Sequence, residues 1–239
     1  MKLNQALFVY PILIGLLGVL VLQHLLADNY QALGVVKYTV NSMIFAVSLL
    51  LPKHTRDHAI LGYAFKFIFA ADFFFVFLGT LPGFSPENKY LQLSGLTVFT
   101  LGYFCFIYLS LRGAKWSLSE IAMSLPVLGI VFPTGAFCFH FMKPEQTLFF
   151  FLFLPFVSFV GWCGLSVVKR NHWLPHISKL FALAGFLFFL SEMGYAVGTF
   201  FPGLTRNTPW IGNEIWVTYI PGWIVMLYAL SHEKWRVER

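Results

Sequence analysis

Two carboxylic acids lie inside long apolar blocks of this 239-residue chain, where an ionised side chain is costly. Asp72 falls in the block Ala59–Leu81 and Glu192 in the block Ile177–Phe200. A charge at the centre of a membrane-spanning helix costs about 2.5–3.5 kcal/mol on insertion scales, so an acid found there indicates function. Burial raises the pKa of a carboxyl, whereas a neighbouring Lys lowers it. Two such carboxyls in different surroundings therefore suit general acid–base chemistry.

The predicted depth of each polar residue in the membrane indicates which residues lie at a similar distance from the membrane surface. With a helical rise of about 1.5 Å per residue, Asp72 lies about 13 Å and Glu192 about 12 Å from the predicted outer ends of their spans. Five further residues are predicted to lie in the same outer half or near the midplane: Lys37, Asn41, Tyr103, Tyr219 and Trp223. Lys37 lies about 6 Å deep, Tyr219 about 6 Å and Trp223 about 12 Å. Together these residues predict a polar cavity, although buried Lys–Asp pairs also join helices without any chemistry.

Other polar residues favour simpler interpretations. Lys66 is six residues from Asp72 on a helix and points away from it, so we interpret it as snorkelling towards the cytoplasm or pairing elsewhere. Two histidine pairs have the four-residue spacing of helical metal ligands. They are His54 with His58 and His172 with His176. Because both pairs lie among basic residues, which disfavour a metal cation, we interpret them as loop histidines and predict no metal site.

The elements that hold these residues are predicted to be membrane-spanning helices. The chain is 58% hydrophobic and 11% charged, less than half the charged fraction of about 25% in soluble domains. A bilayer needs roughly 20 apolar residues per helix. Eight such blocks occur: Ala6–Leu26, Leu33–Leu51, Ala59–Leu81, Leu91–Leu111, Leu118–Phe141, Thr147–Val168, Ile177–Phe200 and Ile215–Ser231. They predict an all-α, polytopic bundle forming one transmembrane domain over residues 1–239, with a kink or break at Pro126 or Pro133 of the fifth span.

The basic residues predict the orientation of the bundle. Of the 16 Lys and Arg residues, eleven fall at one set of span ends: Lys2, Lys53, Arg56, Arg112, Lys115, Lys169, Arg170, Lys179, Lys234, Arg236 and Arg239. Only Lys89, Lys143 and Arg206 fall at the opposite set. Because cytoplasmic loops are enriched in Lys and Arg, both termini are predicted to be cytoplasmic. Three tryptophans near the ends of the last span are predicted to be interfacial anchors: Trp210, Trp216 and Trp235.

Composition also limits the partners and the location of the protein. The net charge of +6 is scattered over the block ends, which is typical of contact with lipid headgroups and argues against binding of nucleic acid. Membrane lipids are the expected surroundings, and the cytoplasmic membrane is the expected location if the source is bacterial. The sequence carries no signal of an oligomeric state, and the carboxyl chemistry requires no cofactor.

Five short motifs are similar in type, order and spacing to those of a known family. They are Val36-Lys37-Tyr38, Ala71-Asp72, Gly102-Tyr103 followed by Tyr108, Phe189-Leu190-Ser191-Glu192, and Thr218-Tyr219. Over nearly the whole chain, this order and the eight-span plan resemble the YhhN-like lysoplasmalogenases. Tyr103 stands where that family has His, and Glu192 where it has Asp. Ile220 and Trp223 replace a Tyr and a Gln of the family pattern.

The resemblance implies hydrolysis of the vinyl ether bond of lysoplasmalogens, which releases a fatty aldehyde and a glycerophospho-base. Such cleavage begins with protonation of carbon and needs a carboxylic acid together with a second carboxylate. Asp72 and Glu192 fit these roles, with Lys37 setting the ionisation of one of them. The supporting residues are predicted to be Asn41, Tyr103, Tyr219 and Trp223, and the apolar substrate chain is placed along the Phe-rich segments 73–77 or 149–153.

Two non-enzymatic functions remain as alternatives. A proton-linked transporter or a lipid-binding protein would use the same buried carboxyls. No pair of Gly- or Pro-interrupted spans recurs in matching halves of the chain, as it does in many inverted-repeat transporters. A purely structural role in the membrane would leave Asp72 and Glu192 unexplained.

Overall fold

The computed structural model describes residues 30–81, 89–200 and 211–236. Within these ranges the chain is helical with short turns, and the only extended pairing is an isolated bridge between Trp173 and Arg236. The all-α prediction is therefore confirmed. The α-helices are α1 Tyr30–Leu50, α2 Arg56–Asp72, α3 Lys89–Ser110, α4 Leu118–Ala122, α5 Leu125–Phe141, α6 Thr147–Ser166, α7 Pro175–Phe200 and α8 Ile211–Leu230.

Five helical segments of the described chain are long and apolar enough to cross a membrane. They are Arg56–Phe77, Tyr90–Ser110, Leu118–Phe141, Thr147–Lys169 and Pro175–Gly198. Two shorter apolar helices occupy Gly34–Leu50 and Trp216–Leu230. Their length and composition support a multi-pass membrane protein. The first predicted span, Ala6–Leu26, lies outside the described residues, so the count of eight and the cytoplasmic termini stay predictions.

The predicted break in the fifth span lies at its first proline. Helix α4 ends at Ala122 and α5 begins at Leu125, so that Pro126 occupies the first turn of α5. Proline is tolerated there because the N–H groups of a first turn have no partner within the helix. Helix α5 continues through Pro133 up to Phe141, so the second proline does not end it.

The described residues form two compact units. The first unit comprises the described residues up to Leu109 together with Leu230–Glu233, and the second comprises Ser110–Ala229 together with the described residues from Lys234 onwards. The prediction of one transmembrane domain is not tested by this division and stays a prediction.

In the first unit, one stripe of α1 packs against α2 and the turns that follow it. The stripe has members at helical spacing: Gly34, Tyr38, Asn41 and Phe45. A Cβ atom at Gly34 would lie 2.4 Å from a methyl group of Thr80, so only glycine allows this close approach. The ring of Phe45 stacks on Phe69 with centroids 4.4 Å apart. Asn41 is therefore held at the centre of a packed seam.

In the second unit, α6 and α7 pack through glycines. Gly164 faces Gly185, and Gly161 faces the ring of Phe189. Small residues at such positions let two membrane helices approach closely and gain van der Waals contact. A buried cluster of apolar side chains from α5, α6 and α7 lies beside this contact, including Val131, Phe150 and Phe189.

We expect Gly164→Ala to destabilise the protein by about 1–3 kcal/mol, the usual cost of overpacking a close contact. A Cβ atom at Gly164 would lie 2.6 Å from the Cα atom of Gly185, which is backbone and cannot move aside. The matched control is Gly129→Ala in α5, where a Cβ atom meets nothing within 4 Å. Thermal unfolding in detergent should show a lowered midpoint for Gly164→Ala alone, and equal midpoints would contradict this packing.

The tryptophans at the end of the chain differ from the prediction of interfacial anchors. Trp235 is 2% exposed and Trp216 is 8% exposed, while Trp210 lies outside the described residues. The indole N–H of Trp235 donates to the carbonyl of Ala229 at 2.8 Å, and the Trp235 ring packs edge-on against Trp173. The prediction was wrong for Trp235 because it joins an aromatic cluster at the start of α7.

Candidate active site

Asp72 is the last residue of α2 and is buried, with 5% of its surface exposed. The side-chain amide of Asn41 donates a hydrogen bond to Asp72 Oδ2 at 2.6 Å. This bond joins α1 to α2. The bond therefore holds the carboxyl in one orientation within an apolar span.

A change of helix type follows Asp72 directly. Residues Phe73–Phe77 form a π-helical turn, in which the N–H of Leu78 bonds to the carbonyl of Phe73, five residues back. A 3₁₀ turn, Leu78–Thr80, completes the segment. Single π-helical turns inside α-helices occur frequently at functional sites. Here the turn reorients the chain immediately after the candidate catalytic carboxyl.

Tyr38 is a neighbour of this carboxyl that sequence reasoning did not assign to the site. Its phenol lies near Asp72, and its ring stacks on Phe69 at 5.3 Å and packs against Phe77 at 4.9 Å. The sequence could have indicated this position, because Tyr38 follows Lys37 and is three residues before Asn41. Because Tyr38 packs against Phe77 of the Phe-rich segment, aromatic rings lie around the Asp72 carboxyl.

The other first-unit residues of the predicted site lie on α1 and α3. Lys37 is half-buried, one residue before Tyr38. Tyr103 is fully buried and packs edge-on against Phe99 at 4.8 Å. Phe99 contacts Phe75, and Gly102 contacts Ile68, so the α3 segment with Tyr103 runs antiparallel alongside the stretch of α2 that contains Asp72.

Glu192 occupies α7 in the second unit and is 6% exposed. One turn earlier on the same face, Phe188 packs against Trp223 of α8 with ring centroids 4.6 Å apart. A Cβ atom at Gly222 would lie 2.6 Å from Phe188, which confirms how closely the two helices approach. Residues four apart lie one above the other on a helix, so Glu192 lies on the face of α7 that packs against α8.

Helix α8 holds two further residues of the predicted site, Tyr219 and Trp223. It begins at Ile211, and its apolar part, Trp216–Leu230, agrees with the predicted span from Ile215. The predicted depths of the two residues stay predictions. Trp223 packs against Phe188 of α7, and Tyr219 lies one turn earlier than Trp223 on α8. The rings of Tyr219 and Trp223 pack edge-on at 6.3 Å. The structure thus brings Glu192, Tyr219 and Trp223 onto one helix pair.

The structure also places Lys66, which the sequence analysis interpreted as snorkelling or pairing elsewhere. Lys66 is exposed on α2, with its ammonium 5.0 Å from the centre of the Tyr63 ring. Its charge acts on Lys53, whose pKa is lowered by burial first and by Lys66 second. Lys53 lies in the turn between α1 and α2 and donates a hydrogen bond to the carbonyl of Leu51 at 2.6 Å. Lys66 therefore extends towards the same end of the unit as Lys53, as snorkelling predicts.

The prediction of loop histidines was wrong for His58. This residue lies in the first turn of α2 and is fully buried. Its Nε2 atom donates to the carbonyl of His232 at 2.8 Å, because a carbonyl can only accept, and its Nδ1 atom lies 2.6 Å from the hydroxyl of Thr55. The ring is therefore a structural link between α2 and the segment that follows α8.

The chain matches a known protein family. The model of the YhhN family matches residues 35–230. The chain is a member of the YhhN family. No curated protein and no solved structure gives a significant match to it.

The YhhN match covers every residue of the predicted site, from Lys37 to Trp223. The match also covers a buried polar cluster that the sequence analysis did not identify. In this cluster Arg170 is 2% exposed and Glu120 is 1% exposed. Arg170 Nε donates to Glu120 Oε2 at 2.9 Å, and its Nη2 donates to the hydroxyl of Ser166 at 2.6 Å. Arg170 also donates to the carbonyl of Ser110. This ion pair therefore ties α4 to the end of α6.

The ion pair of this YhhN protein also fixes the turn before α4. The backbone N–H of Lys115 donates to Glu120 Oε1 at 3.0 Å, and the indole N–H of Trp162 donates to the carbonyl of Glu120 at 2.8 Å. Trp116, which stacks on Trp162, has a positive φ of 52°. A bulky residue rarely adopts this conformation, so the surrounding contacts must hold it there. The cluster is structural and lies apart from the buried carboxyls in sequence.

Proposed function

We propose that this protein hydrolyses the vinyl ether bond of lysoplasmalogen-like lysolipids. The observation that carries the proposal is the Asn41–Asp72 hydrogen bond, because it maintains an oriented, buried carboxyl inside a membrane span. An acid retained in a span is costly and points to function. Membership of the YhhN family supports the same reaction class, since the motifs of the chain resemble those of lysoplasmalogenases.

The reaction follows from the chemistry of the bond. A protonated carboxyl donates its proton to the β-carbon of the vinyl ether, and the electron pair of the double bond forms the new C–H bond. The α-carbon becomes an oxocarbenium ion. Water then attacks this carbon, and the second carboxylate accepts the proton that water loses. The resulting hemiacetal then breaks its C–O bond: the second carboxyl gives its proton to the departing glycerol oxygen, and the hemiacetal hydroxyl gives its proton to the first carboxylate as the aldehyde C=O forms. The products are a fatty aldehyde and the glycerol hydroxyl of the headgroup fragment, one water is consumed, and both carboxyls return to their starting states.

The roles assigned to individual residues follow their surroundings. Asp72 and Glu192 supply the acid and the base, and Asn41 orients Asp72. Lys37 favours the ionised form of one carboxyl, and a split in the pKa values of two carboxyls is what acid–base catalysis needs. Tyr103, Tyr219 and Trp223 are assigned to orienting substrate or water. The chain of the lysolipid is expected to lie against aromatic side chains such as those beside Tyr38.

The test is release of aldehyde by the purified full-length protein in detergent. A lysoplasmalogen should yield fatty aldehyde and glycerophospho-base in equal amounts, whereas a lysophospholipid with an ester-linked chain should yield no aldehyde. Catalysis by buried carboxyls requires no added metal, so the rate should persist in a chelator. A folded protein that releases no aldehyde would contradict the proposal and favour proton-linked transport or lipid binding.

A further inference from the structure

An open apolar groove runs between α5 and α6 in the second unit. Its volume is about 760 Å³, within the usual range for a small-molecule site. Exposed rings form its walls, with Phe132 69% and Phe151 57% exposed. None of the residues assigned to acid–base chemistry or to orienting substrate or water lines this groove, although Phe150 and Phe151 of the Phe-rich segment 149–153 do.

The lining of the groove suits a hydrocarbon chain. Almost all of it is aliphatic or aromatic, and the hydroxyl of Ser158 donates to the carbonyl of Leu154 on its own helix at 2.7 Å. A polar ligand would therefore find few partners along the groove. At its floor Gly135 approaches Leu154 so closely that a Cβ atom would lie 2.8 Å from a leucine methyl. The floor is thus closed by packing, while the exposed rings of Phe132 and Phe151 border the open side.

One end of the groove is cationic. Trp162 lines this end, and its ring stacks on Trp116 with centroids 5.2 Å apart. Lys115 precedes Trp116 and is exposed, as is Lys169 just beyond α6. The one carboxylate of the adjoining helix α4, Glu120, is paired with Arg170. The lysine charges therefore dominate at the point where the apolar groove ends.

We propose that this groove binds one acyl chain of an anionic phospholipid, whose phosphate is held beside Lys115. The apolar groove would hold the acyl chain and its cationic end would hold the phosphate, so the two features follow the order of chain and headgroup in such a lipid. Basic residues at a membrane surface attract anionic headgroups, each contributing about 1 kcal/mol. Trp116 and Trp162 lie where the two parts of the lipid meet, the position that tryptophan favours at membrane interfaces.

The experiment places the full-length protein in phosphatidylcholine nanodiscs with a small fraction of a photoactivatable lipid. The probe is phosphatidylglycerol with a diazirine on one acyl chain, and a phosphatidylcholine with the same chain serves as the headgroup control. After irradiation, peptide mapping should find label concentrated on the segments 132–139 and 151–159. The anionic probe should label them roughly fivefold more than the control lipid, and Lys115→Gln should remove that difference.

A matched pair of variants separates groove binding from general contact with lipid. Ala136→Trp fills the groove and should abolish the concentrated label, whereas Ala122→Trp makes the same change at an exposed α4 position outside the groove. Label spread evenly over the apolar helices, or equal labelling by both lipids, would overturn the proposal. If Ala136→Trp fails to fold, the comparison of the two lipids with and without Lys115→Gln decides the question. Aldehyde release is not part of this readout, so the groove and the reaction are tested separately.

Discussion

Replacing Asp72 by Asn should lower the rate of aldehyde release at least a hundredfold. The amide keeps the shape of the side chain but can neither donate a carboxylic proton nor carry a charge. General acid–base catalysis contributes about 10²–10⁴-fold to a rate, so its loss should reduce kcat by that order. The measurement is aldehyde formation from a lysoplasmalogen by purified protein in detergent, with binding of the lysolipid followed separately.

Asp57→Asn is the matched control, because Asp57 is also buried on α2 and lies fifteen residues from Asp72. This variant should keep its activity if it folds, while Glu192→Gln should lose activity as Asp72→Asn does. Asn41→Ala, which retains the carboxyl but removes the 2.6 Å hydrogen bond, should give an intermediate rate. Unchanged aldehyde release in both Asp72→Asn and Glu192→Gln would rule out the mechanism.

Replacing Arg170 by Met should destabilise the protein by about 3–5 kcal/mol, the usual cost of removing one partner of a buried ion pair. Methionine preserves much of the apolar stem but leaves the Glu120 carboxylate without its cation. The hydroxyl of Ser166 and the carbonyl of Ser110 lose a donor in the same substitution. Thermal and denaturant unfolding in detergent, followed by circular dichroism, would measure the loss.

Lys169→Met provides the control for Arg170→Met, since it removes an adjacent but exposed charge. Its effect on stability should stay within about 0.5 kcal/mol, as for most surface substitutions. Combining Arg170→Met with Glu120→Gln should restore part of the loss, because the buried charge is then removed together with its partner. Equal stability of the Arg170 and Lys169 variants would contradict a structural role for the ion pair.

Much of the architecture could be predicted because lipid imposes a simple condition on the chain. Every residue that faces hydrocarbon must be apolar, so the seven predicted spans from Leu33 onwards match described helices within a few residues. The same condition makes a carboxyl in a span conspicuous, and both Asp72 and Glu192 are buried. Asn41 and Asp72 were also assigned to one predicted polar cavity, and the structure joins them by a hydrogen bond.

The amino-acid sequence by itself thus determined the helical class, the apolar spans and the two acids within them. Tertiary structure decided which polar side chains at the span ends are buried. Arg170 and Glu120 are fifty residues apart and read as ordinary basic and acidic residues near a loop, yet they form a buried pair. His58 likewise meets a carbonyl 174 residues away. A charged side chain near a span end can face water, a lipid headgroup or a buried partner. Only the packing of distant segments buries it against a partner and so excludes water and headgroups.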